Sequence, residues 1–156
     1  MTIKYFISDV DGCLNDGKIY WSAEGKPFKA FGNYDHDGLK MLRDHCEIIF
    51  ITADKVGWDI SHNRIVEHMK FPLHFVKEKD RYAFVEKYDF NKVAYMGDGF
   101  YDAPILRQAA YSFAPAQARI EAKTAAKFIT ASEGGQGAVM DACLKIMSIL
   151  GIPYEL

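Results

Sequence analysis

Neither sign of charge dominates this chain: 19 lysines and arginines stand against 21 aspartates and glutamates, for a formal net charge of −2. A basic field that would hold nucleic acid or an anionic membrane surface is thereby excluded. Long hydrophobic runs are also missing. Stretches such as Ile48 to Thr52 fall far short of the roughly 20 apolar residues that a bilayer requires. No repeat, low-complexity tract or linker interrupts the sequence, so residues 1–156 are expected to form one unit. A single Lys4 is followed at once by a strand-like run ending in Asp9, and no secretory leader is expected. Cysteine is scarce: Cys13, Cys46 and Cys143 are odd in number and widely spaced, giving neither a metal-ligand nor a disulfide framework. A reducing cytoplasm is the expected location. Cys13 lies beside an acidic loop, but neighbouring carboxylates raise a thiol pKa, which argues against a catalytic thiol.

What is present is a core. Hydrophobic residues make up 49% of the chain and aromatic residues 14%, a composition for a compact fold. Apolar runs at Ile3 to Val10, Cys46 to Thr52, Leu73 to Val76, Val93 to Met96, Tyr111 to Ala114 and Lys127 to Thr130 read as strands. Helical patterns separate them, near 35–45, 58–69, 81–88, 103–110, 118–126 and 138–150, with Asp80 a candidate cap for the third. Lys18 to Phe31 reads as an aromatic hairpin turning at Ala23 to Lys26. Alternation of this kind predicts an α/β fold, a mainly parallel sheet with helices on both faces. Ligands of such sheets bind beyond the carboxyl ends of the strands.

Three of those ends carry chemistry. The first strand runs into Asp9-Val-Asp11-Gly12, the second ends at Thr52, and the fourth opens into Gly97-Asp98-Gly99 with Asp102 behind. Carboxylates gathered at one edge repel one another unless a hard cation sits among them, and Mg²⁺ suits carboxylates, carbonyls and phosphate oxygens. The pairing of Asp-x-Asp-Gly with a later Gly-Asp-Gly, and Thr52 between them, makes the signal specific. A response-regulator-like receiver also uses an acidic Mg²⁺ pocket, but its nucleophile would follow a middle strand.

Over nearly its whole length the chain resembles the haloacid dehalogenase superfamily of phosphatases. It is most similar to the cap-less branch with 3-deoxy-D-manno-octulosonate 8-phosphate phosphatases and the phosphatase domains of acylneuraminate cytidylyltransferases. Asp9 to Gly17, the aromatic hairpin, Lys29 to Leu42, Ile51 to Asp54, Gly97 to Pro104 and Glu133 to Val139 carry the likeness. It implies a Rossmann-like fold with a hairpin flap at about 18–31, and a Mg²⁺-dependent phosphomonoesterase of the octulosonate or nonulosonate phosphate class. Asp9 would attack phosphorus to form an aspartyl-phosphate. Asp11 would protonate the leaving alkoxide and then deprotonate water. Thr52 would hold a phosphate oxygen, and Mg²⁺ would sit among Asp9, the Asp11 carbonyl and Asp98, with Asp102 in support. A homotetramer in which the hairpin covers a neighbour's site is also implied, with a phosphorylated sugar as substrate and no nucleic acid or membrane partner.

The chain departs from the family pattern in places. Ile-Thr-Gly-Arg becomes Ile51-Thr52-Ala53-Asp54, followed by Lys55. The phosphate-binding base of the third motif is open among Lys77, Lys79 and Arg81, with Lys79 and Arg81 preferred. Gln136 stands where the family more often has arginine. These changes slightly favour the alternative of a non-catalytic binding or oligomerisation module. His36, His45, His62, His68 and His74 are read as loop, structural or exposed residues.

Overall fold

The chain is described by a computed structural model that covers residues 2–154, with the backbone alone for Lys26 and Pro27. Met1, Glu155 and Leu156, part of the unit expected over 1–156, lie outside the described residues. Six parallel strands form the sheet: β1 (Tyr5–Asp9), β4 (Glu47–Thr52), β5 (Leu73–Phe75), β6 (Val93–Met96), β7 (Tyr111–Ala114) and β8 (Phe128–Ile129). Their order is β5-β4-β1-β6-β7-β8. The short antiparallel hairpin of β2 (Tyr20–Ser22) and β3 (Gly25–Phe28) stands apart. Its turn is tighter than expected, since Gly25 already belongs to β3.

Parallel strands covered on both faces need apolar residues at every position, and β1 shows the pattern. Phe6 belongs to the core beneath α1 (Tyr34–Leu42) and α6 (Ala138–Ile149). Ile7 belongs to the opposite core, beneath α3 (Arg81–Glu86), α4 (Ala103–Gln108) and α5 (Ile120–Ala125). In β4, Phe50 and Ile51 divide in the same way. Side chains alternate along a strand, so Asp9 follows Ile7 toward the face that carries α3. Arg81 opens that helix.

Some local expectations need correction. The pattern over 58–69 is not one regular α-helix: α2 (Trp58–His62) continues as a π-helical stretch over Asn63–His68. Ile65 and Met69 are buried as expected, whereas Ser61 is buried and Ile60 only half-buried. Ser61, Ile65 and Met69 follow one another at four-residue spacing, so Ser61 takes the inward place expected for Ile60. Asp80 makes no side-chain cap to α3, because it already has helical backbone angles at the end of a 3-10 turn, Glu78–Asp80.

Two glycines hold the sheet edge together. Gly12 has φ +89°, and a Cβ there would come 1.9 Å from Asp98 Oδ2. Gly134 packs so closely that its Cβ would lie 2.1 Å from the Gly12 carbonyl oxygen. Gln117 bridges the two segments, donating from Nε2 to Gly12 O at 2.7 Å and accepting from Gly134 N at 2.7 Å.

Candidate active site

The carboxyl ends of β1, β4 and β6 converge, as their hydrogen-bonded neighbourhood requires. β1 pairs with β4 on one side and with β6 on the other. A cleft of about 430 Å³ opens over them, lined by Asp9, Asp11, Asp54, Arg81, Asp98 and Asp102 among others. Glu78, Phe100 and Tyr101 also line it, and both rings are exposed.

Asp9 is buried, and its Oδ1 accepts the Val10 amide at 2.9 Å. Arg81 Nη2 lies 3.5 Å from the same oxygen, while Arg81 Nη1 donates to Asp102 Oδ1 at 2.8 Å. Asp102 is itself held by the Tyr95 hydroxyl at 2.6 Å and the Gly99 amide at 2.9 Å. Asp11 is held separately. Its Oδ1 accepts from Asn15 Nδ2 at 2.9 Å and faces Lys29 Nζ at 2.8 Å, and its Oδ2 accepts the Thr52 hydroxyl at 3.1 Å.

The expected residues therefore meet at one edge, with a division of partners that the sequence does not disclose. Thr52 gives its hydroxyl proton to Asp11 and accepts the Asp54 amide at 3.1 Å. Of the three candidate bases only Arg81 lines this cleft. Lys77 and Lys79 are exposed and do not line it, because both precede α3, whose first residue is the one turned inward. None of the five histidines lines it either. Gln136 lines a different hollow, with Asp16 and Tyr34.

Three contributors lie outside the acidic motifs. Lys29 reaches the site from the hairpin's end, Tyr95 from within β6 and Gln117 from the loop before α5. For Tyr95 a weak signal exists: a polar tip in a buried strand needs a partner nearby.

The electrostatics of the cleft call for positive charge. Burial pushes the Asp9 carboxyl well above its ordinary range; Arg81 opposes this, and Asp102, Asp98 and Asp11 add to it. The Asp98 carboxyl is pushed up to about 6, mainly by burial and then by the Asp102 charge. Six carboxylates line the cleft or its rim against two cations, Arg81 and Lys29, among the described residues. Oxygens of Asp9 and Asp98 lie within 4.8 Å of each other and of Cys13 Sγ. Two close carboxylates, each short of counter-charge, form a donor set that fits a hard divalent cation. The Cys13 thiol is buried and pushed well up, chiefly by that burial and next by Asp98, so it remains neutral.

The haloacid dehalogenase-like hydrolase family matches residues 80–142. A 3-deoxy-D-manno-octulosonate 8-phosphate phosphatase from Haemophilus influenzae is 30% identical over 155 residues, covering 96% of this chain and 85% of that protein. N-acylneuraminate cytidylyltransferase A from Danio rerio is 30% identical over 145 residues, which are 89% of this chain and 34% of that protein. Two solved structures share the architecture. The cobalt-bound deoxy-D-mannose-octulosonate 8-phosphate phosphatase from Haemophilus influenzae has TM-score 0.80 at 27% identity, covering 96% of this chain and 90% of that one. The 3-deoxy-D-manno-octulosonate 8-phosphate phosphatase from Moraxella catarrhalis, in complex with a magnesium ion, a phosphate ion and a KDO molecule, has TM-score 0.79 at 27% identity, covering 94% of this chain and 86% of that one.

Proposed function

The chain belongs to the haloacid dehalogenase superfamily of phosphatases, and from that premise we propose that it is a Mg²⁺-dependent phosphomonoesterase for a small phosphorylated sugar. The observation that carries this reading is the placement of Asp9: a buried carboxylate at a strand tip, beside Arg81 and close to Asp98, on the wall of an open cleft.

An Asp9 oxygen attacks phosphorus, a bond forms to give the aspartyl-phosphate, and the bond to the sugar oxygen breaks. Asp11 gives its proton to the departing alkoxide. The same carboxylate then takes a proton from water as that water attacks phosphorus, releasing phosphate and restoring Asp9. Arg81 offers a planar, permanently charged fork beside the nucleophile, suited to phosphate oxygens. Repulsion between a carboxylate and a phosphate dianion at about 4 Å is roughly 8 kcal/mol at intermediate dielectric, nearly six powers of ten in rate. Asp9, Asp98 and the Asp11 carbonyl would hold Mg²⁺, which would supply the charge that offsets this repulsion. Thr52 holds Asp11 and stands ready beside the phosphoryl position.

The relatives make octulosonate and nonulosonate phosphates the first compounds to test. The exposed Phe100 and Tyr101 at the cleft mouth suit the apolar faces of a sugar. The reading includes one domain over 1–156, a cytoplasmic location and a homotetramer whose hairpin covers a neighbour's cleft. Trp21 is 65% exposed and Phe28 56%, which suits a buried role in such an assembly. No helix of the described residues is long and apolar enough to cross a membrane.

The test is phosphate release from para-nitrophenyl phosphate and from a panel of octulosonate, nonulosonate, hexose and nucleoside monophosphates. Asp9→Asn is expected to abolish release while circular dichroism remains unchanged; full turnover in that variant would refute the mechanism.

A further inference from the structure

Lys29 belongs to none of the acidic motifs, yet its ammonium sits at their centre. It leaves the hairpin directly after β3, and its side chain is only 4% exposed. Three acceptors surround Nζ: Asp11 Oδ1 at 2.8 Å, Asp54 Oδ2 at 3.0 Å and Ser61 Oγ at 2.8 Å. An ammonium has three protons to give, so these partners satisfy it fully and leave no donor for a ligand.

The surroundings are shaped for this side chain. A Cβ at Gly57 would lie 2.6 Å from Lys29 Cε and 2.4 Å from Asp54 Oδ2, so only glycine leaves the passage open. The Gly57 amide also donates to Asp54 Oδ1 at 3.0 Å, turning the other oxygen toward the lysine. Asp54 is the residue by which the second motif departs from Ile-Thr-Gly-Arg. The altered motif therefore supplies Lys29 with its second counter-charge.

We propose that Lys29 is the positioning residue of Asp11, with Asp54 and Ser61 holding Lys29, so that the hairpin is clamped to the carboxylate that handles the leaving group's proton. This rests on the reading that Asp11 protonates the departing alkoxide. Asn15 and Thr52 are neutral donors to Asp11, whereas Lys29 is its one cationic donor among the described residues, which makes that contact the strongest of the three. Without it the carboxyl group loses its fixed orientation toward the scissile oxygen.

The consequence is a dependence on leaving group. Para-nitrophenyl phosphate expels a phenolate that needs no proton, while benzyl phosphate, of similar shape, expels an alkoxide that does. Single-turnover release of para-nitrophenol or benzyl alcohol, the step before water attacks, is measured with Mg²⁺ in the wild type, Asp11→Asn, Lys29→Met, Lys29→Arg and the double variant Lys29→Met with Asp54→Asn. The double variant removes a carboxylate together with the lysine, so it tests the proposal even where Lys29→Met folds poorly. The expected result is a loss on benzyl phosphate at least about tenfold greater than on para-nitrophenyl phosphate, in both the single and the double variant, since general acid catalysis contributes about 10²–10⁴-fold. Lys29→Arg is expected to recover part of that difference. Equal losses on the two substrates would overturn the proposal and assign Lys29 to phosphate binding or to folding alone. If Asp11→Asn discriminates between the substrates and the Lys29 variants do not, Lys29 loses its role while the proposed function stands. If Asp11→Asn fails to discriminate, or Asp9→Asn retains turnover, the proposed function falls and this inference with it.

Discussion

Arg81 and Asp102 form a buried ion pair, Nη1 to Oδ1 at 2.8 Å, and the other terminal nitrogen of the same guanidinium points to Asp9. Asp102 thus directs Arg81 and need not meet a ligand itself. Removing one partner of such a pair strands a buried charge, at a cost of about 3–5 kcal/mol. Asp102→Asn is expected to lose about that much stability in urea unfolding, and Tyr95→Phe, which removes one hydrogen bond to Asp102, about 1 kcal/mol. Similar small losses in both variants would show that Asp102 does not carry the pair.

Divalent metal should stabilise the fold. With burial, and next the charge of Asp102, holding the carboxyls of Asp9 and Asp98 high, a bound cation relieves an unfavourable arrangement and draws the equilibrium toward the folded state. Thermal unfolding is expected to rise by several degrees between excess EDTA and millimolar Mg²⁺. Asp98→Asn should abolish most of that rise. An unchanged midpoint in the wild type would count against a cation at this edge.

A second buried acidic position does not line the cleft. Asp35 on α1 is buried; one carboxylate oxygen accepts the Met140 amide at 3.0 Å and the other has no hydrogen-bond partner among the described residues. Burial pushes its carboxyl up to about 6. Below about pH 4 folded and unfolded chains both hold the proton; between 4 and 6 the unfolded chain releases it first. The stability contributed by Asp35 is therefore lost as pH rises through that window, at up to roughly 1.4 kcal/mol per unit. Asp35→Asn is expected to match the wild type near pH 4 and exceed it by about 2 kcal/mol at pH 8, measured by denaturant unfolding with EDTA present. A constant difference across pH would remove Asp35 as the cause.

The hairpin offers a test of assembly. Light scattering at micromolar concentration is expected to give the mass of four chains, and Trp21→Glu with Phe28→Glu a smaller species. A wild-type monomer would sink the tetramer reading.

Much of this arrangement is legible in the sequence because parallel strands announce themselves twice, by continuous apolar runs and by the polar residue that ends them. Asp9, Thr52 and Asp98 could be assigned to one edge for that reason. Arg81 could not be chosen over Lys79 from the chain alone, since two residues at a helix start decide between facing the sheet and facing water. Lys29 was harder still. Its partners lie 18, 25 and 32 positions away in three different segments, and nothing near it in the sequence marks a charge that ends buried. The π-helical stretch after α2 escaped for a related reason: hydrophobic spacing reports which side is apolar, not how the backbone carries it there.

The contact of Gly134 with Gly12 also sets an order in time. During synthesis the strand that ends at Asp9 and its two neighbours in the sheet are complete once Met96 has been added. The loop after that strand still lacks its brace until Gln117 and Gly134 have left the ribosome. A nascent chain halted between Asp102 and Gln117 would carry every acidic residue of the cleft and is expected to be silent as a catalyst.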